Sequence, residues 1–260
     1  MNIPRRVVIT GAAGALGRVI RAYLTAEGRY ELSLIDRDPG GDPEIQVADL
    51  ALWQERWPAL FEGAHAVLHL AGVPSSLRAW SELARDNIDA TLQVFEAAAR
   101  GGARRVVFAS SLHVLWGHGD RPIPPGEPPA PVSAYGTSKA AGERIARVYA
   151  ERSGISVICF RIGAVRPEPF PPSASLAVQR RWLSHRDLCQ GFERAIEIED
   201  VRFAVLNLLS DNRGSPWDLS ETRQVLGYRP ADACEPRRPS PWSRSVRRLA
   251  RLRRRLRGPR

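Results

Sequence analysis

Lysine is nearly missing from this chain: of 38 basic side chains, Lys139 alone is not arginine. Methionine occurs once, and the three cysteines, Cys159, Cys189 and Cys234, are odd in number and far apart. That usage excludes a disulfide framework and a zinc-ligand pattern. No run approaches the roughly 18 consecutive apolar residues that a membrane-spanning helix needs. The start, Met-Asn-Ile-Pro-Arg-Arg, passes straight into Val7-Val8-Ile9 without the apolar core of a signal peptide. The expectation is a soluble, cytoplasmic protein of a reducing compartment. His65 and His69 have i, i+4 spacing but flank a strand with no nearby Glu or Cys set, so no metal site is expected.

What is present is ordinary globular material. With 43% apolar and 25% charged residues over 260 positions, a disordered or fibrous chain is excluded and a sizeable core is possible. The net charge of +10 is concentrated at one end, because Arg237 to Arg260 holds 11 arginines and no acid. Without those 11, 27 basic side chains face 28 acidic ones. A neutral body therefore carries a basic tail. Val246, Leu249, Leu252 and Leu256 give that tail one apolar stripe at helical spacing. Such a segment suits an anionic membrane or nucleic-acid phosphates. A solvated, disordered extension is the simpler reading.

Apolar runs alternate with helical patterns. Strands are expected at 5–10, 31–35, 44–47, 66–70, 104–109, 156–161 and 201–209. Helices are expected at 15–27, 50–61, 81–100, 135–153, 185–197 and 217–226. This alternation predicts an α/β fold, a Rossmann-type doubly wound parallel sheet. Ser184 to Asp187 has capping-box spacing and should open the helix 185–197. Two proline-rich stretches, 117–132 and 166–172, read as rigid loops above the sheet. Residues 1–230 would form one nucleotide-binding domain with a small substrate cap at about 165–230, followed by a flexible Pro/Arg-rich tail at 231–260.

Gly11, Gly14 and Gly17 follow the first strand and open the first helix. Glycine there permits a tight turn and a close phosphate approach, and a helix N-terminus favours an anion. Asp36 ends the second strand, 19 residues after Gly17, where a carboxylate accepts ribose hydroxyls and repels a 2′-phosphate. NAD is favoured over NADP, and Arg37 next door softens the preference. Tyr135 and Lys139 fall one turn apart on one helix face. A nearby ammonium lowers a phenol's pKa toward that of a usable base. Ser110 and Ser111 end the fifth strand at the edge where such sheets place ligands.

As a set, several motifs resemble the NAD-dependent epimerase/dehydratase family of extended short-chain dehydrogenases. They are Thr10-Gly-Ala-Ala-Gly-Ala-Leu-Gly17, Asp49-Leu50, His69-Leu-Ala-Gly72, Asn87-Ile88, Phe108-Ala-Ser-Ser111, Tyr135-Gly-Thr-Ser-Lys139, Arg161-Ile-Gly163 and Leu226-Gly-Tyr-Arg-Pro230. The resemblance covers about residues 5–230. It implies Tyr135 as general base, Lys139 as its partner and ribose ligand, and Ser111 as substrate hydrogen-bond donor. To the cofactor it assigns Ala13, Ala15 and Leu16 of the turn, Asp49 and Leu50 at the adenine, and Leu70, Ala71 and Gly72 after the fourth strand. Asn87, Ser110 and Ile162 join them.

Within the family the similarity is to the small uronate dehydrogenases. Those have asparagine where Leu112 stands and serine where Ala164 stands, so two polar contacts on the sugar side become apolar. His113 and either Arg180 or Arg181 are the remaining substrate candidates, the arginine for a carboxylate. Trp116 and Trp182 either floor a sugar site or pack loops. The expected reaction is NAD-dependent oxidation of a hydroxyl-bearing carbon of a sugar or sugar acid. Alternatives are a nucleotide-sugar epimerase or dehydratase with retained NAD, and a non-enzymatic NAD-binding sensor. The resemblance also implies a homodimer through helices 81–100 and 135–153.

Overall fold

Side chains alternate between the two faces of a strand, and here both faces are apolar. Val7, Ile9, Val107, Ile158 and Phe160 belong to one core, while Val8, Val106, Phe108, Val157 and Cys159 belong to another. A sheet built from such strands must be covered on both sides. The computed structural model describes residues 4–236, apart from 54, 55, 76, 120, 125, 169 and 171–173. The basic tail from 237 onward, with its apolar stripe, lies outside the described residues.

The strands are β1 (Arg5–Thr10), β2 (Tyr30–Asp36), β3 (Ile45–Val47), β4 (Ala66–His69), β5 (Arg105–Ser111), β6 (Ser156–Ile162), β7 (Ala164–Val165), β8 (Trp182–Leu183) and β9 (Phe203–Leu208). Seven of them form one parallel sheet in the order β3-β2-β1-β4-β5-β6-β9. The expected Rossmann-type doubly wound sheet is thus present. β7 and β8 make a separate parallel pair beyond the sheet edge. The strand order reverses between β1 and β4, which opens a crevice at their C-terminal ends.

The helices are α1 (Ala15–Glu27), α2 (Trp80–Leu83), α3 (Ala90–Arg100), α4 (Ala134–Arg152), α5 (Leu176–Arg180), α6 (His185–Glu197) and α7 (Ser220–Leu226). Ile20 and Leu24 of α1 and Leu188 and Phe192 of α6 cover one face. Val94 and Phe95 of α3 and Ala146 and Ala150 of α4 cover the other. The expected helix at 81–100 is realised as α2, a π-helical segment Ala84–Asp89 and α3 in succession. π-Helical segments occur frequently at functional sites, and this one carries Arg85, Asp86 and Asn87.

The expected helix at 50–61 does not form. Among the described residues only the 3-10 turn Pro58–Phe61 is helical there. Its apolar residues Leu50, Trp57 and Phe61 are buried at helix-like spacing, which is why the pattern misleads. Pro58 has no N–H to continue a helix, and the Trp57 indole instead donates to the Leu52 carbonyl at 3.1 Å.

Two polar anchors tie α6 to the sheet. Arg105, 2% exposed at the start of β5, donates to the carbonyls of Ala195, Ile196, Ile198 and Glu199 and so caps the C-terminal end of α6. At the other end the Ser184 hydroxyl accepts the Asp187 N–H at 3.0 Å. Asp187 does not complete the capping box. Its carboxylate takes the Ser210 hydroxyl and the N–H groups of Ala231 and Asp232. Among the described residues no helix is long and apolar enough to cross a membrane.

Candidate active site

Gly11 turns the chain out of β1 with φ +73°. A Cβ there would lie 2.6 Å from the Ala71 nitrogen, and one on Gly17 would lie 2.2 Å from the Gly11 carbonyl oxygen. Side chains are thus excluded where the turn meets the loop after β4 and where α1 leaves it. Gly14 opens α1 with no side-chain cap, so the first-turn N–H groups remain for an anion. The Asp36 carboxylate accepts the Ala13 N–H at 2.9 Å and the Asp38 N–H at 3.2 Å, which fixes it beside the turn. These features fit a dinucleotide.

Asp36 shares a recess with Arg37, Asp49, Leu50, Leu70, Ala71 and Gly72. Asp49 is ion-paired with Arg85, and Arg37 with Asp86. Sequence reasoning passed over Arg85 and Asp86. Their only signal is a charged pair preceding Asn87.

A second cleft, of about 510 Å³, continues from the turn to the ends of β5 and β6. A volume of that order suits a small-molecule site. Ala15, Leu16 and Gly17 line its cofactor side, and Ser111, Leu112, His113, Tyr135, Lys139, Ile162, Ala164 and Arg181 line the rest. Tyr135 and Lys139 are brought there by α4, whose N-terminus is capped by the Ser133 hydroxyl accepting the Gly136 N–H at 3.1 Å. Ser111, ending β5, accepts the His113 N–H at 3.3 Å and lines the same cleft as the Tyr135 phenol.

The electrostatics differ from the expectation. Burial raises the Tyr135 pKa, and the neighbouring Ser111 hydroxyl opposes that rise. Lys139, one helical turn on, lines the same cleft. Its own pKa is pulled down to about 8 by burial. Its ammonium lies 5.0 Å from the Phe108 ring centroid, and 3.3 Å from the point a Cβ on Gly72 would occupy. The ligand-free wall disfavours both charged forms, because both groups have lost water.

His113 stacks on Trp116 with centroids 3.5 Å apart and meets Tyr135 edge-on at 5.1 Å. Burial and the nearby Arg181 lower its pKa to about 4, so it is neutral at pH 7. The Arg181 guanidinium lies 4.9 Å from the Trp116 ring centroid. His113 Nδ1 and Arg181 Nε are both buried without a hydrogen-bond partner among the described residues. Buried polar atoms in that state call for a water or a ligand atom. Trp116 thus packs against both without lining the cleft, whereas Trp182 packs on Phe170 and donates to the Arg166 carbonyl at 3.0 Å.

Three expected site residues sit apart from these clefts' walls. Arg180, ending α5, is not among the lining residues. Asn87 lies fully buried behind Gly72 and Val73. Ala13 contributes its N–H to Asp36. Ser110 does line the cleft, but its hydroxyl donates to Glu143 at 2.6 Å, and Glu143 in turn holds Arg161 through two bonds of 2.9 Å.

Residues 7–168 match the model of the NAD dependent epimerase/dehydratase family. The chain is 35% identical over 248 residues to an NAD-dependent glucose-6-phosphate dehydrogenase of Haloferax volcanii, covering 87% of this chain and 93% of that one. It is 37% identical over 235 residues to a uronate dehydrogenase of Pseudomonas syringae pv. tomato, covering 88% and 83%. Among solved structures, a mutant of the Agrobacterium tumefaciens uronate dehydrogenase complexed with NAD superposes with a TM-score of 0.76 at 30% identity, covering 95% and 89%.

Proposed function

The chain belongs to the NAD-dependent epimerase/dehydratase family, and on that premise we propose that it oxidises a hydroxyl-bearing carbon of an anionic sugar, a sugar acid or sugar phosphate. Its cofactor is NAD, and its reaction is that of the sugar and sugar-acid dehydrogenases. Arg181 carries the choice of an anion: a half-buried guanidinium whose buried Nε has no partner among the described residues, in the same cleft as Tyr135. A carboxylate or phosphate there would satisfy both charge and donors. Leu112 and Ala164 offer a sugar ring apolar contact rather than hydrogen bonds.

Bound NAD supplies the hydride acceptor. The chain's own part is the proton. Tyr135, as phenolate, takes the proton of the reacting hydroxyl. Ser111, oriented by the His113 N–H, donates to the same oxygen. Lys139 keeps a cation beside the Gly72 loop, one helical turn from the phenol, where its charge favours phenolate against the cost of burial. The enzyme acts in the cytoplasm, where Cys159, Cys189 and Cys234 remain buried thiols. It pairs with a second copy through α3 and α4, where Leu92 is exposed.

The test is NADH formation with uronates, hexose phosphates and neutral aldoses, for the unaltered protein and for Arg181→Met. The anionic sugars should exceed neutral ones by about a hundredfold in kcat/KM, and Arg181→Met should erase that preference. A preference for neutral aldoses would refute the anion. No NADH from any sugar would refute the dehydrogenase.

A further inference from the structure

Three carboxylates and two guanidinium groups meet in the recess beside the glycine-rich turn. Arg85 donates to Asp86 at 2.6 Å and also pairs with Asp49. Arg37 Nη1 lies 3.0 and 3.1 Å from the two Asp86 oxygens. Asp36 is the carboxylate held only by backbone N–H groups among the described residues. It ends β2, where the ribose of a bound adenosine is met. The residue beside it is an arginine, the side chain best suited to grip a phosphate. That arginine is held instead on Asp86 of the π-helical segment.

We propose that Asp86 determines which dinucleotide this site accepts: by holding Arg37, it keeps the adenosine end suited to an unmodified ribose and closed to a 2′-phosphate. The proposal rests on the assignment of NAD to this site. With Arg37 engaged, a 2′-phosphate meets the Asp36 charge and no available guanidinium. Arg37 is 57% exposed while Asp86 is 14% exposed, so the arginine is the mobile partner and the carboxylate the fixed one. The pair is short of deep burial, so it contributes little to stability. Its effect is on where Arg37 points.

The dissociation constants of NAD+ and NADP+ would be measured by calorimetry, without any sugar, for the unaltered protein, Asp86→Ala, Asp86→Asn and Asp86→Ala/Arg37→Ala. Asp86→Ala should shift the affinity ratio toward NADP+ by about tenfold. Adding Arg37→Ala should remove that gain. NAD+ affinity within about threefold of the original would show an intact recess in each variant. A ratio within twofold of the original in both Asp86 variants would overturn the proposal, and so would a gain that survives Arg37→Ala. Failure of the unaltered protein to bind NAD+ would instead refute the cofactor assignment itself.

Discussion

The side-chain amide of Asn87 pairs with both backbone groups of Val73: its Oδ1 accepts the Val73 N–H at 2.7 Å, and its Nδ2 donates to the Val73 carbonyl at 3.2 Å. Nδ2 also donates to the Ser138 hydroxyl at 3.0 Å. One buried amide therefore registers the loop after β4 against α4, which carries Tyr135 and Lys139. Behind it runs a chain of polar groups with a single direction. Thr91 donates to the Asn87 carbonyl at 2.6 Å, so its oxygen accepts from His69 Nε2 at 3.0 Å. His69 Nδ1 then accepts from Thr10 at 2.8 Å, and Thr10 accepts the Ala71 N–H at 3.4 Å.

Asn87→Asp removes both amide donors and sets a carboxylate against the Val73 carbonyl. NAD+ affinity should fall about tenfold and stability by roughly 2–3 kcal/mol, read by calorimetry and urea unfolding. Unchanged NAD+ affinity would reduce Asn87 to a packing role.

His69 is fully buried, and loss of water lowers its pKa to about 3. The unfolded histidine titrates near 6.5, so between these values the unfolded chain binds the extra proton. Stability therefore rises with pH across that window and is complete above it. Between pH 7.5 and pH 5 this one group should remove about 2 kcal/mol. Urea unfolding of His69→Gln should show a pH dependence flatter by that amount. An identical slope would mean that the imidazole is not held neutral.

Arg105→Met removes the donor that four carbonyls at the end of α6 share, of which Glu199 keeps the Val201 N–H and Ile196 the His65 ring. The loss should be about 3 kcal/mol or more in urea unfolding, with NAD+ affinity preserved in the folded fraction. A cost under 1 kcal/mol would show that water replaces the guanidinium.

The sheet was legible because fully buried parallel strands are short apolar runs, and Val7 to Ile9 or Val106 to Phe108 can be little else. Tyr135 and Lys139 were legible because one helical turn fixes their spacing. The region 50–61 misled because Leu50, Trp57 and Phe61 mimic a helix face while Pro58 prevents one. Asp86 and His69 were opaque for another reason. Their partners lie 49 and 59 residues away in sequence, and no local pattern announces a contact that only the folded sheet creates. Helical spacing gives Tyr135 its nearness to Lys139, while the burial that acts on both groups is visible only in the fold.

Tyr135→Phe tests the catalytic assignment most directly, since it deletes one hydroxyl and keeps the ring against His113. NADH formation by the purified variant should fall about a thousandfold or more, while NAD+ affinity stays within about threefold. A variant that keeps more than a tenth of the original turnover would contradict the assignment of Tyr135 as the base.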